Sequence, residues 1–373
     1  MFCREEGETP FRSEIKKVKS MNKKFLIPIV ALALVSCAKN ETLRPADSHL
    51  SEITFNVAPK TKADDAHGHK SFDSNNMFVS WAYYLAPGKT WPTDAAGGEL
   101  YIDRAKITNT NPTGTDGIWK CADKNYYWPK GGGSLTFFAY SLNRTDVDFK
   151  VVGTHSDGSP IYHSLVDCNV EHGILAYLDL KTDPNTDFLV ADVAANKTQN
   201  EKEHFVNGVP TLFKHKLSKV AFTVKANSYD NKSFTLKSIT FDKIVYYLAY
   251  GQVANTYTLG TDKYSPNYTS TVLPITTTKQ NVTAEDNYNI FIPQKFADDA
   301  LIVVTYDITT TVPGHPDVVE TVVKKVKLNS KFTDGWEPGK KYTVDLTFSL
   351  DEITWDPAVQ DWENVTAADI TIK

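Results

Sequence analysis

Cys37 is the residue of this sequence whose position most directly predicts a chemical reaction. It closes the stretch LVSC at 34–37, in which a branched residue and a small residue precede a cysteine. In a bacterial lipoprotein, a cysteine so placed is diacylated on its thiol and becomes the new N-terminus. Acyl chains tether a protein to a membrane because each buried methylene contributes about 0.8 kcal/mol. The pattern therefore predicts lipidation of Cys37, against the alternative of a chance cysteine.

The segment before this cysteine has the organisation of a secretory signal peptide. Two lysines precede the apolar run FLIPIVALALVS at 25–36, which is shorter than the roughly 20 apolar residues of a membrane-spanning helix. Residues 1–20 carry charges of both signs and no apolar period. We therefore predict a signal peptide over 1–36, with the true start at Met21, followed by a lipidated linker over 37–50.

Motifs for catalysis are absent from the sequence. It contains no GxSxG turn, no HExxH or CxxC motif and no phosphate-binding glycine loop. His67 and His69, with Asp64 and Asp65 nearby, have the side-chain chemistry of metal ligands, but such a polar stretch is also typical of a loop without a ligand. We predict no catalytic residue, no metal site and no cofactor.

Four tryptophans lie in the first half of the chain, at Trp81, Trp91, Trp119 and Trp128. If they were exposed on one face, they would form a platform on which sugar rings stack. If they were buried, they would anchor a hydrophobic core. We favour the core interpretation for Trp81 and Trp128, so a glycan-binding site here would require the tryptophans to lie at the surface.

The charge balance argues against nucleic acid as a partner. The whole chain carries a formal charge of −5, and residues 1–36 hold seven basic and four acidic residues. The part of the chain after residue 36 therefore carries −8. Proteins that bind phosphate backbones present basic surfaces, which this composition does not favour.

The remainder of the chain has the composition of short strands joined by turns. Thr, Val, Tyr, Phe and Ile are frequent, and Gly, Pro, Asn and Asp separate the apolar stretches. Strands are predicted at 53–57, 135–140, 220–225, 234–241, 301–306, 321–328 and 342–348. Convincing helices are few, which favours an all-β sandwich. Cys121 and Cys168 either pair or lie buried as thiols, so hydrophobic cores must supply the stability.

Chain length predicts two domains, since 336 residues follow the predicted lipidation site. The turn sequence NGVP at 207–210 precedes a new predicted strand. We therefore place a first β-sandwich at 51–210 and a second at 211–373.

Basic residues follow the first predicted strand and are candidate protease sites. Lys60 and Lys62 lie in a polar stretch of the kind in which exposed loops are cut. A trypsin-like protease would cut there, unless the stretch remains an uncut loop. Arg44 is a further candidate, but Pro45 after it makes it a poor site.

Segments spread along the chain resemble the fimbrillin family, the type V pilins of Bacteroidetes, and in particular its minor-fimbrillin-like branch. The likeness lies in an ordered set of segments: ITFNVAPKTKA at 53–63, YWP at 127–129, LTFFAY at 135–140, TDFLVA at 186–191, FKHKLSKV at 213–220, WEPGKKY at 336–342, ITW at 353–355 and VQDW at 359–362. Each segment alone is weak, so the resemblance depends on their order and spacing.

This resemblance implies two transthyretin-like β-sandwiches in tandem, in an outer-membrane lipoprotein precursor that reaches the cell surface or a fimbrium. In polymerising members, a trypsin-like protease removes the lipidated N-terminus with the first strand, and the C-terminal segment of another subunit fills the groove. Here that first strand, the plug strand, would bury Ile53, Phe55 and Val57. The implied partners are other fimbrial subunits, the outer membrane through the lipid, and surface ligands of host or bacterial cells.

The C-terminal tail contains the candidate donor strand. Ile370 and Ile372 alternate with a threonine, as on a half-buried strand. The alternative is that the tail is simply the last strand of its own sandwich. At the cleavage site the sequence departs from the family, because the usual arginine is replaced by Lys62 or must fall at Arg44. Either a lysine-directed protease cuts the precursor, or the subunit stays lipidated as an anchor.

Three hypotheses of function follow from these features. A structural or adhesive pilus subunit, the leading one, needs a displaceable N-terminal strand and a free C-terminal strand. A monomeric surface lipoprotein that binds glycans or a host ligand needs tryptophans exposed on one face. A glycan-degrading enzyme on a β-sandwich needs two carboxylates across a cleft.

Overall fold

The structure is a computed structural model, and it describes residues 51–57, 72–113, 117–149, 151–154, 156, 160–162, 164–182, 184, 186–199, 208–269, 272–282, 289–350 and 353–361. These residues are almost wholly β, which confirms the predicted fold class. The helical segments within them are a 3-10 turn at Ala95–Gly97 and a one-turn helix, α1, at Leu328–Lys331. Within these ranges, no helix has the length and apolar character needed to cross a membrane.

The N-terminal part of the chain builds a nine-stranded sheet, here called the first sheet. Its strands are β1 Phe55–Val57, β2 Phe78–Leu85, β3 Glu99–Asn109, β4 Trp119–Cys121, β5 Ser134–Ser141, β10 Leu189–Ala191, β11 Ala194–Lys197, β12 Val209–Thr211 and β13 Phe213–His215. Their spatial order is β12-β1-β4-β3-β2-β5-β10-β13, and β11 also pairs with β5. Strand β1, which has only three residues, therefore lies inside the sheet and not at an edge.

A four-stranded second sheet packs against the first. Its strands are β8 Leu165–Asn169, β9 Gly173–Asp179, β17 Tyr247–Gly251 and β18 Thr256–Leu259, in the order β18-β17-β9-β8. The hairpin of β8 and β9 fills the stretch from 165 to 180, where the sequence indicated no clear element. Two further sheets have two antiparallel strands each: β6 Val151–Thr154 with β7 Pro160–Tyr162, and β16 Ile244–Val245 with β19 Lys263–Tyr264.

The first sheet is buried on both faces along its centre. One face packs on the second sheet in an inter-sheet core, where Trp81 and Tyr140 lie against residues such as Ile174 and Leu248. The opposite face forms an N-terminal core that includes Phe78, Phe137, Trp119, Val209 and the side chains of β1. All eight residues of β5 are buried, which explains why its sequence is mostly apolar and does not alternate.

The C-terminal part of the chain builds a second sandwich. Its third sheet contains β14 Ser218–Ala226, β22 Gln280–Asn281, β23 Asn289–Phe291, β26 Lys340–Phe348 and β27 Ile353–Asp361, and its fourth sheet contains β15 Lys232–Asp242, β20 Asn267–Thr269, β21 Leu273–Ile275, β24 Leu301–Thr310 and β25 Val318–Lys327. Aromatic residues such as Phe222, Phe241 and Trp336 fill the core between them. The predicted strands from 220 onward are confirmed by these elements.

Strand pairing crosses the predicted domain limit at residue 210. Strand β12 contains this residue and β13 follows it, and both strands belong to the first sheet. Strands β17 and β18 come after it, and they complete the second sheet by pairing with β9. The sheets of the first sandwich therefore draw on residues from both 51–210 and 211–373, and the division into these two domains stays a prediction.

Candidate functional site

The candidate site is the position of β1 within the first sheet. Strand β1 pairs in parallel with β12, with Phe55 opposite Val209 and Val57 opposite Thr211. On its other side it pairs antiparallel with β4, where Phe55 lies opposite Trp119. We call the groove between β4 and β12 that holds this strand the β1 seat.

Backbone hydrogen bonds hold the residues before β1 to the same seat. The amide of Ile53 donates to the carbonyl oxygen of Tyr126 at 2.8 Å, and the amide of Trp128 donates to the carbonyl oxygen of Ser51 at 3.1 Å. The amide of Val209 donates to the carbonyl oxygen of Thr54 at 2.8 Å. Residues 51–57 are thus hydrogen-bonded on both sides, through a small number of bonds.

The side chains of this segment alternate between the core and solvent. Ile53, Phe55 and Val57 are 2%, 5% and 8% exposed, whereas Asn56 is exposed. Full burial of a large apolar side chain contributes about 1.5–3 kcal/mol, so the three together contribute about 5–9 kcal/mol. Apolar burial is therefore the main interaction that holds β1 in place.

Aromatic contacts surround the phenyl ring of Phe55. It meets the rings of Phe78 and Phe137 edge to face, with centroids 5.5 and 5.8 Å apart. Such geometry adds roughly 0.5–1.5 kcal/mol per pair beyond area burial. Burial also raises the pKa of Tyr101, whose hydroxyl donates to the carbonyl oxygen of Tyr127 beside the seat. The seat is therefore an apolar, water-poor groove.

Gly208 brings β12 unusually close to β1. Its φ is +83°, a conformation that favours glycine, and a Cβ built there would lie 2.8 Å from the carbonyl carbons of Thr54 and Phe55. A side chain at this position would therefore press on the backbone of β1. The sequence indicated only a turn here, because a close approach between distant strands leaves no local pattern.

The polar contribution to the seat is small. Lys120 on β4 pairs with Glu52, with Nζ and Oε1 3.3 Å apart, and both side chains are partly exposed. Exposed ion pairs contribute about 0–1 kcal/mol.

Several predicted site residues lie outside the described residues. They are the lipidation site, the protease sites, the donor strand and the possible metal ligands: Cys37, Arg44, Lys60, Lys62, Asp64, Asp65, His67, His69, Ile370 and Ile372. Within the described ranges there is no cluster of three or more His, Cys, Asp or Glu side chains suited to a metal ion. Cys121 and Cys168 are free, buried thiols in the two cores on opposite faces of the first sheet.

The tryptophans lie mainly in the cores. Trp81 and Trp128 are each 2% exposed, which confirms that they are core anchors, and Trp119 is also buried. Trp91 is partly buried, and its indole N–H donates to the carbonyl oxygen of Val170 at 2.7 Å. None of these four forms the exposed face that the glycan-binding hypothesis requires.

One buried ionisable pair was not recognised from the sequence. Nδ1 of His215 lies 2.9 Å from a carboxylate oxygen of Asp187, and the side-chain amide of Asn143 donates to the other oxygen at 3.0 Å. The two partners are 28 residues apart in sequence, so spacing could not reveal the pair. Both side chains are buried, away from any substrate in solution, which gives the pair a structural role.

A family model described as fimbrillin-like matches residues 61–362. This chain belongs to the fimbrillin-like family. The matched region begins after β1 and ends before the candidate donor residues Ile370 and Ile372. Family membership indicates a structural and not an enzymatic protein, and a location at the cell surface or in a fimbrium.

One of the solved structures to which this chain is similar agrees with this assignment at the level of the fold, with a TM-score above 0.5. A fimbrial protein from Bacteroides vulgatus is 16% identical, with a TM-score of 0.57, over 84% of this chain and 99% of the other. A proposed cell adhesion protein from Bacteroides uniformis is also 16% identical, with a TM-score of 0.47, over 86% and 100%. The fimbrial anchor protein from Porphyromonas gingivalis is 10% identical, with a TM-score of 0.27, over 84% and 98%. A search of the curated proteins returned no match.

Proposed function

We propose that this fimbrillin-like chain is a structural or adhesive subunit of a surface fimbria. It is made as an outer-membrane lipoprotein acylated at Cys37, and it assembles by strand exchange at the β1 seat. Its partners are other fimbrial subunits, and its fimbria contacts ligands on host or bacterial surfaces. The observation that carries the proposal is the interior position of β1, a three-residue strand held by the apolar side chains of Phe55 and Val57 and by Ile53 just before it.

Loss of β1 would create a site for another strand. Its removal leaves backbone groups of β4 and β12 unpaired and uncovers the rings of Phe78 and Phe137. An apolar groove with unpaired edges is a template for strand addition, in which main-chain hydrogen bonds supply affinity and side-chain pockets supply specificity. The candidate cut sites Lys60 and Lys62 follow β1 directly in sequence, so one cut separates this strand from the body of the protein.

The donor would be the C-terminal tail of a second subunit. Ile370 and Ile372 have the alternation needed to replace two of the three buried side chains of residues 53–57. Each full burial contributes about 1.5–3 kcal/mol, so losing both would weaken a non-covalent filament severely. Because the contact joins different surfaces of the two subunits, it does not close and generates a filament.

Limited trypsin treatment followed by negative-stain electron microscopy tests the proposal. We expect a first cut at Lys60 or Lys62, identified by N-terminal sequencing, and filaments from the cut protein. The double variant Ile370→Ala/Ile372→Ala should fold with an unchanged Tm but form no filaments. Thr371→Ala, on the opposite face of the same strand, should polymerise normally and is the matched control.

Three outcomes would overturn parts of this scheme. Cut wild-type protein that forms no filaments would argue against assembly through the β1 seat. Filaments from the double isoleucine variant would exclude these residues as the donor. A variant truncated after Asp369 that fails to fold would place the tail in its own sandwich.

A further inference from the structure

Strand β25 is an open edge of the fourth sheet. It pairs with β24 over ten consecutive residues without a register shift, from Val318 opposite Thr310 to Lys327 opposite Leu301. Among the described residues, no strand pairs with its other side. Alternate backbone N–H and C=O groups of a long, regular strand therefore point away from the sheet.

The side chains of this edge are unusually apolar for a surface. Val318, Val319 and Val323 are 60%, 57% and 52% exposed. An extended edge with exposed β-branched residues is a template for a further strand. By contrast, β27 at one edge of the third sheet contains Pro357 and so lacks one backbone donor. Of the two long edge strands of this sandwich, β25 is the one suited to pairing.

Glu320 and Lys324 give β25 two opposite charges, which can pair with the same two residues on a second copy of the strand. Both side chains lie on the core-side face of the fourth sheet, since they are opposite Ile308 and Val304 of β24. They are four residues apart on one strand, a separation of about 13 Å at 3.3 Å per residue, so they cannot meet within one copy. Within the described part of the chain, neither forms a salt bridge.

We propose that β25 is a dimerisation edge that pairs antiparallel with β25 of a second copy of this chain, with Val322 opposite itself. The two-fold axis stands perpendicular to the sheet, so each face of one sheet continues into the same face of the other. This register places Glu320 opposite Lys324 of the second copy, twice by symmetry. It also places Val318 opposite Val326 on the same face.

Neighbouring registers lack this complementarity. A pairing centred on Val323 puts Glu320 opposite Val326, and one centred on Thr321 puts Lys324 opposite Val318. Of these three registers, only the one centred on Val322 places each of the two charged side chains opposite a side chain of opposite charge. Because a two-fold contact uses the same edge on both copies, it closes at a dimer and leaves no free β25 edge for aggregation.

Sedimentation velocity of the purified, uncut full chain tests this dimer. The uncut chain retains β1, so the measurement is independent of filament assembly. We expect a reversible monomer–dimer equilibrium for the wild type. Glu320→Lys or Lys324→Glu alone replaces two opposite-charge pairs by two like-charge pairs, which should weaken dimerisation about tenfold or more.

Mixing the two variants gives the decisive measurement. A copy with Glu320→Lys opposite a copy with Lys324→Glu has two restored pairs, so the mixture should form heterodimers although neither variant dimerises well alone. The double variant Glu320→Lys/Lys324→Glu should dimerise like the wild type. Lys325→Glu changes the charge equally but lies opposite Val319, so it should shift the dissociation constant much less.

A wild type that sediments as a monomer up to its solubility limit would overturn the proposal. Single charge variants that dimerise like the wild type would overturn it as well. If the two variants fail to associate on mixing while the wild type dimerises, the dimer uses another surface or register.

Discussion

Strands β1 and β26 occupy equivalent positions in their sheets but differ greatly in how firmly they are held. Each has a parallel neighbour on one side and an antiparallel neighbour on the other. Strand β26 pairs with β14 from Lys341 to Phe348 and with β27 along all nine of its residues. Strand β1 has three parallel partners in β12 and one antiparallel partner in β4.

The proposed strand exchange requires a difference of this kind. Strand β26 is held by long ladders on both sides and by four buried side chains. Strand β1 has short ladders, and the segment around it is held mainly by the buried side chains of Ile53, Phe55 and Val57. Under the proposal, a segment that presents similar side chains at alternate positions would take the place of β1.

The largest expected effects come from removing one phenyl ring from each strand. Phe55→Ala and Phe348→Ala should each lower the free energy of unfolding by about 3–5 kcal/mol, since both rings are buried. The loss of stability caused by Phe55→Ala should be local. Amide hydrogen exchange should become faster in β4 and β12 and change little in β14. Urea unfolding combined with hydrogen-exchange mass spectrometry checks both. Equal acceleration in β14 would mean that β1 is not separable from the second sandwich.

A smaller effect is expected from the close approach of β12. Gly314 has a φ of +77° and open space around it, so Gly314→Ala should cost only the roughly 1–2 kcal/mol of a left-handed conformation. Gly208→Ala carries the same conformational cost and also pushes against the backbone of β1. It should therefore destabilise more and speed amide exchange at Phe55. Equal destabilisation in the two variants would show that β12 can move without disturbing β1.

The smallest effect is expected from the ion pair beside the seat. Lys120→Met keeps most of the apolar stem and removes the charge that faces Glu52, so it should cost less than about 1 kcal/mol. Amide hydrogen exchange at Phe55 in this variant should stay slow at low and at high salt. If it were as fast as in Gly208→Ala, the charge pair, and not apolar burial, would hold β1.

Local features of the site could be predicted from the sequence, because they depend on local patterns. Apolar residues at alternate positions share one face of any strand, so Ile53, Phe55 and Val57 were expected to be buried together. The mostly apolar run at 135–140 similarly predicted a strand, which is β5.

Long-range pairings of the fold could not be predicted in this way. The parallel neighbour of β1 lies about 150 residues further along, and nothing in either segment encodes that pairing. The same holds for β17 and β18, since nothing in their sequences shows that they complete the sheet of β9 across the predicted limit at residue 210. The role of Gly208 also depends on a contact between distant segments.

The crossing of the limit at residue 210 has a consequence for the order in which the sheets can form. The chain up to His215 contains every strand of the first sheet, but only two of the four strands of the second sheet. Between Asp179 and Leu259 lie β14 and β15, which belong to the other sandwich. The face of the first sheet that carries Trp81 and Tyr140 therefore stays only partly covered until a segment from beyond β15 has joined β9.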